Sequence, residues 1–227
     1  MIQNLIDIIA APAAAFTRIR EKPTILFPLL LVMLAVTSAQ VAYFLLVDFD
    51  FLIEELIAQA ASMVNVPEDQ LRQGYANANP TTMAIQTGIS TALVLVIVMS
   101  LYAGYLTLVS KFTNDGINFK RWFSLQCWTG IPLVFGAVAT WVVLLTSADG
   151  MVPMRDLNPL TLNNLLFQTE GPFATLLGSL SILQLWGLVL LALGYRQWTG
   201  KPFTTALLLS WLPLLLIFGG WALVILL

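Results

Sequence analysis

Five stretches of the chain, 23–47, 73–110, 122–148, 171–195 and 202–227, hold no Asp, Glu, Lys, Arg or His. Each can supply the roughly 20 apolar residues a helix needs to cross a hydrocarbon core about 30 Å thick. They are continuously apolar, whereas barrel strands alternate and run about ten residues, so the predicted element is helix. The segment 73–83 is polar and turn-rich and is trimmed away. The spans then fall at 24–47, 84–109, 124–146, 173–195 and 204–227. The expected fold class is all-α: a polytopic integral membrane protein with five transmembrane helices, forming one domain over 1–227.

Outside the spans the pattern changes to amphipathic helix. In the segment 1–23, Ile2, Leu5, Ile6 and Ile9 repeat at helical spacing opposite Gln3, Asn4 and Asp7. Pro12 suits the first turn of a second short helix reaching Arg18. Such a pair either lies in the membrane interface or simply anchors the first span. The loop 48–83 is too long for a plain connector. Phe49, Leu52, Ile53, Leu56, Ile57, Ala60 and Val64 mark one apolar helix face, with Glu54, Glu55 and Gln59 opposite. Asn65 and Glu68, with Pro67 between them, read as the head of another short helix. In the loop 147–172, Asn158-Pro159 precedes Leu160, Leu162, Leu165, Leu166 and Phe167, a capped apolar helix read as a structural lid.

Charge gives these elements a direction. Placing the N-terminus inside puts Arg18, Arg20, Lys22, Lys111, Lys120, Arg121, Arg196 and Lys201 on the cytoplasmic side, leaving only Arg72 and Arg155 outside. The cytoplasmic segments are short, the case in which positive residues set topology. The expected arrangement is N-in and C-out, with 48–83 and 147–172 external. The first span exceeds the apolar stretch of a signal peptide and lacks a small-residue cleavage site, so it reads as a retained anchor.

Composition closes off several chemistries. The chain is 59% hydrophobic and 10% charged, with a mean hydropathy of +0.87. There is no histidine to serve as metal ligand, general base or pH switch. The lone Cys127 permits neither an intramolecular disulfide nor a thiolate cluster. A net charge of −2 offers no basic surface for nucleic acid. The pair Glu54-Glu55 is reminiscent of intramembrane prenyl-protein proteases, which also need histidines that this chain lacks. No cofactor, metal or catalytic residue is expected. Proton-coupled carriers keep ionisable residues within their spans, and none is present here.

What the spans do contain is neutral and polar: Gln40, Ser90, Thr91, Ser100, Gln126, Thr129, Ser179, Ser181 and Gln184. Side chains of this kind hydrogen-bond between helices or contact a ligand. Gln40 and Gln184 carry the most bonding sites to satisfy. Pro132 and Pro213 lie within a turn or so of Trp128 and Trp211 in the third and fifth spans. They either kink a cavity open at the bundle centre or are the ordinary prolines of membrane helices. The surrounding hairpins echo each other loosely, as a parallel repeat. Ser100-x-x-x-Gly104 and Gly219-Gly220 permit close helix approach, within the bundle or in a homo-oligomer.

Three segments carry a family resemblance. Phe16-Thr-Arg-Ile-Arg-Glu-Lys-Pro23 resembles the F-x-x-I-R-x-x-P lead-in to the first span of prokaryotic Yip1-domain proteins. Phe119-Lys-Arg-Trp-Phe-Ser through Pro132-Leu133 resembles their second cytoplasmic turn and third span. Leu180 to Pro213, with Leu185-Trp186 and Gly194-Tyr-Arg-Gln-Trp-Thr-Gly200, resembles their last hairpin. The resemblance implies a bacterial plasma-membrane protein whose activity is generally unassigned. Eukaryotic members are linked to small GTPases through a longer cytosolic segment that nothing here matches, so that role does not carry over.

The expectation is a non-enzymatic membrane-organising or protein-interaction module. Its partners would be membrane lipids and another membrane protein or a second copy. Arg18, Arg20, Lys22, Lys120 and Arg121 are the candidate contacts to anionic lipid, each worth about 1 kcal/mol at an inner leaflet. The alternative is passive transport or binding of a lipid or apolar small molecule, in a cavity formed around Gln40, Trp128, Pro132, Gln184, Trp211 and Pro213.

Overall fold

The computed structural model describes residues 1–63 and 66–227, and every regular element among them is helical. In chain order these are α1 (Ile2–Ala10), α2 (Pro12–Glu21), α3 (Leu26–Leu46), α4 (Phe49–Met63), α5 (Glu68–Tyr75) and α6 (Pro80–Phe112). They continue as α7 (Phe119–Thr129), α8 (Leu133–Thr146), α9 (Pro172–Gly178), α10 (Ile182–Thr199) and α11 (Phe203–Leu226). Val64 and Asn65, expected on the apolar face of α4 and at the head of α5, lie outside the described residues.

Four helical stretches are long and apolar enough to cross a membrane: α3, α6, α7–α8 together, and α11. At 1.5 Å per residue the 33 residues of α6 reach about 50 Å, so its ends project beyond a hydrocarbon core. The starts of these helices follow local chemistry. Asn79 accepts a hydrogen bond from the Thr82 N–H ahead of Pro80, and Asn118 accepts one from the Arg121 N–H.

The fourth expected span, 173–195, is not a single helix. It divides into α9 and α10, with Ser179, Leu180 and Ser181 between them. Ser181 and Gln184 form a reciprocal capping box that starts a new helix at Ile182. The interruption exposes backbone groups, and the preceding loop satisfies them. The Leu162 N–H donates to Leu180 O at 2.7 Å, and the Ile182 N–H donates to Leu160 O at 3.0 Å. This contact forms an isolated antiparallel bridge between Thr161 and Ser181.

The expected pairing of Pro132 with Pro213 also fails. Pro132 ends a break at 130–132 between α7 and α8, whereas Pro213 lies inside an uninterrupted α11. The lid expected after Asn158-Pro159 is a single π-helical turn, Asn163–Phe167. Thr161 Oγ1 accepts from the Asn164 N–H at its start.

Two apolar clusters hold the bundle. The larger gathers Ile8, Phe16, Ile19, Trp122, Leu125, Trp128, Leu190, Leu191 and Tyr195. It joins α1 and α2 to α6, α7 and α10. Trp122 stacks on Tyr195 at 5.2 Å and meets Trp198 at 5.5 Å. The Trp198 indole N–H donates to Phe16 O. The N-terminal pair is therefore anchored to the bundle, with Asn4 and Ile8 turned inward and Leu5 packed against the cluster. Ile2, Ile6 and Ile9 face outward, Ile2 being 74% exposed. The smaller cluster, at the other end, packs Leu52 of α4 and Val152 and Leu157 of the loop after α8 onto Tyr43, Phe44 and Leu144.

Candidate functional site

Between the two clusters lies a cavity of about 580 Å³, walled by α3, α6, α7–α8, α10 and α11. Both interruptions open onto it: Gly130 from the first, and Ser179, Leu180 and Ser181 from the second. Non-helical backbone is tolerated at membrane depth only where it is buried in protein or lines a cavity. Of the nine polar side chains singled out in the spans, all but Ser100 line this space; Thr140, Asn158 and Thr161 join them.

Many of these groups are already engaged. Gln184 Oε1 accepts from the Ser181 N–H at 2.8 Å. Ser90 and Ser179 donate to carbonyls in the preceding turn, and Thr129 donates to Gln126 O. Gln126 is different: its side-chain Oε1 is buried and has no hydrogen-bond partner among the described residues. A buried amide oxygen without a partner costs about 1–3 kcal/mol. No lining residue is Asp, Glu, Lys or Arg.

Glycines set the spacing of the walls. A Cβ on Gly187 would lie 2.7 Å from Thr129 O, so α10 touches the backbone at the end of α7. The usual donor to that carbonyl, the Leu133 N–H, turns instead to Gly130 O. A Cβ on Gly88 would meet Val41 at 2.9 Å, where α6 crosses α3. At Gly104, Gly219 and Gly220 nothing lies within 4 Å, so these expected close-approach residues do not serve that purpose inside the bundle.

The sequence candidates separate cleanly. Gln40 and Gln184 line the cavity; Trp128, Pro132, Trp211 and Pro213 do not. Trp128 is buried in the larger cluster, its indole N–H donating to Thr24 O and Thr24 Oγ1 at 3.1 and 3.0 Å. Trp211 packs against the same cluster, with its indole N–H unpartnered among the described residues. Among the basic candidates, Arg18 is committed within the chain: it donates to Asn4 Oδ1 at 2.6 Å and pairs with Asp7. Arg20, Lys22 and Lys120 are exposed and Arg121 is half-buried, and none joins a salt bridge among the described residues.

One polar cluster escaped the sequence reading. Lys201 Nζ donates to Asp115 Oδ2 at 2.6 Å and sits 5.6 Å from the Tyr195 ring centroid. Desolvation works against the Lys201 charge, but hydrogen bonds with Asp115 and Tyr195 outweigh it and hold its pKa above the usual lysine value. The pair ties the turn before α7 to the turn before α11. At the far end, Arg72 of α5 makes a two-pronged bond to Glu54 of α4. That hydrogen bond, with the charge of Arg72, holds the Glu54 carboxyl below its ordinary pKa.

Comparison with known proteins decides the family. The model of the Yip1 domain matches residues 6–224, nearly the whole chain. The protein belongs to the Yip1 family. This Yip1 domain is similar to Membrane protein YknW of Bacillus subtilis (strain 168), 25% identical over 223 residues that cover 95% of this chain and 85% of the relative. No solved structure matches it. Among the described residues of this Yip1 domain, no three His, Cys, Asp or Glu side chains come together in a way that could hold a metal.

Proposed function

We propose that this Yip1 domain is a five-span protein of the bacterial plasma membrane, N-in and C-out, in which α9 and α10 together form the fourth crossing. Its role is non-enzymatic: it organises the membrane or binds other membrane proteins through its surfaces. The observation that carries this reading is α1. That helix seats Asn4 and Ile8 on the bundle and leaves Ile2, Ile6 and Ile9 as a bare apolar face. The exposed Arg20 on α2, Lys22 just after it and Lys120 on α7 belong to the part of the chain α1 packs near, and basic groups at an inner leaflet attract anionic headgroups. An apolar face flanked by basic groups is suited to lie in the headgroup boundary.

The test is spin-label accessibility at Ile9→Cys and Gln3→Cys in liposomes of phosphatidylethanolamine and phosphatidylglycerol. The label at Ile9 is expected to meet oxygen dissolved in lipid more readily than an aqueous nickel chelate, and the label at Gln3 the reverse. Equal aqueous exposure at both positions contradicts an interfacial α1.

A second reading, binding of a lipid or apolar small molecule, is favoured by one observation. The cavity gathers Gln40, Gln126 and Gln184 around two interrupted helices.

A further inference from the structure

We infer that the cavity is a site for a neutral lipid, one with an uncharged hydrogen-bonding head and apolar chains, admitted sideways between α6 and α11. This rests on the second reading above, that the cavity holds a ligand at all, and adds the ligand's chemistry and its route.

The head chemistry follows from the walls. Gln126 Oε1 is buried without a partner, and no side-chain hydrogen bond engages Gln40, Thr91 or Thr140 among the described residues. Gln126 Oε1 needs a donor and the other amides and hydroxyls can donate or accept, so this set matches a head carrying a hydroxyl or an amide N–H. A phosphate would enter with no cation to meet it, since the walls contain no Lys or Arg, and burying an unpaired charge is strongly unfavourable. A volume of about 580 Å³ falls among ordinary small-molecule sites, which run to about 300–1,000 Å³.

The route follows from how α6 and α11 meet. Tyr102 Oη donates to Ser210 O at 2.9 Å and Tyr105 Oη to Leu209 O at 3.0 Å, which closes the seam near the start of α11. Farther along, Val94 and Val98 line the cavity while remaining 55% and 48% exposed. Leu214 and Phe218 form the opposite jamb. The cavity therefore opens on the outer, apolar flank of α6, where lipid chains lie in a membrane, and chains can trail through the opening while the head sits against Gln126.

The test uses the full chain in detergent and native mass spectrometry, with dioleoylglycerol, phosphatidylglycerol and free glycerol as probes. Two variants separate head from route: Gln40→Leu with Gln126→Leu, and Val98→Trp, which obstructs the opening from the lipid-facing side. Dioleoylglycerol is expected to bind one per chain and to weaken by about tenfold in each variant. Phosphatidylglycerol is expected to be unaffected by either. Should the glutamine variant not fold, Val98→Trp alone decides. Dioleoylglycerol binding that neither variant changes overturns the inference together with the reading it rests on. Variant-sensitive binding of free glycerol or phosphatidylglycerol overturns the inference alone, leaving a cavity with a different ligand.

Discussion

Gly187 occupies a position where a side chain has no room, because the atom it would strike is backbone. The Thr129 carbonyl 2.7 Å from the site of a Cβ cannot swing away as a leucine methyl could. Gly187→Ala is therefore expected to destabilise the protein by about 1–3 kcal/mol, seen as a lower midpoint in thermal unfolding. Gly104→Ala supplies the contrast, since nothing lies within 4 Å of its Cβ, and it should leave the midpoint unchanged or raise it. At this scale the sequence was legible by type but not by role. It marked Gln40, Gln126 and Gln184 as polar groups in apolar surroundings. It could not show that they converge, because convergence depends on how the helices rotate about their axes. Trp128 and Trp211 looked alike beside their prolines, yet neither lines the cavity, and among the described residues Trp128 finds acceptors while Trp211 finds none.

Interrupted and clamped helices are the main finding among the elements. The break before α10 was written in the sequence as Ser181-x-x-Gln184, a capping box inside an apolar run. The hydropathy of the stretch hid that signal, because a run so apolar reads as one span whatever its capping residues. Ser181→Ala removes the cap on the Gln184 N–H and is expected to cost about 1 kcal/mol in thermal unfolding, while Ser181→Thr retains most of it. The prolines taught the opposite lesson. Pro132 sits at a break and Pro213 does not, because Gly130 accompanies the first and tight packing against α10 backs its interruption.

Two ion pairs give elements a pH dependence with opposite signs. The Glu54 carboxyl is held below its ordinary pKa, so its grip on Arg72 is complete above about 4.3 and is lost as pH falls through the lowered value. Distances between spin labels at Ala58→Cys and Gln70→Cys should stay fixed from about pH 7 to 5 and broaden in stronger acid. Lys201 is held above its ordinary pKa, so its contribution is complete below about 10.4 and is lost only as alkali passes the raised value. Its link to Asp115 therefore persists across the neutral range. Lys201→Met should destabilise by about 1–2 kcal/mol, because it leaves the nearly buried Asp115 carboxylate without its cation.

The whole molecule is an α-helical bundle pinned at both ends by packed clusters and open between them. The apolar windows made its membrane character and helical class legible, and the F-x-x-I-R-x-x-P lead-in made the family legible. The number of crossings was less so. Four stretches are long and apolar enough to cross, while α10 has 18 residues and carries Arg196 and Gln197 in its last turn. On the proposed reading, α9 across the Ser179–Ser181 break adds the length for a fifth crossing. An odd number of crossings puts the two termini on opposite sides, and an even number puts them on the same side. The decisive measurement is labelling of Gln3→Cys and Leu227→Cys with a membrane-impermeant maleimide in right-side-out vesicles, Cys127 being buried in the core. Leu227→Cys is expected to react in intact vesicles and Gln3→Cys only after lysis; reaction of both from the same side contradicts the proposed five-span topology.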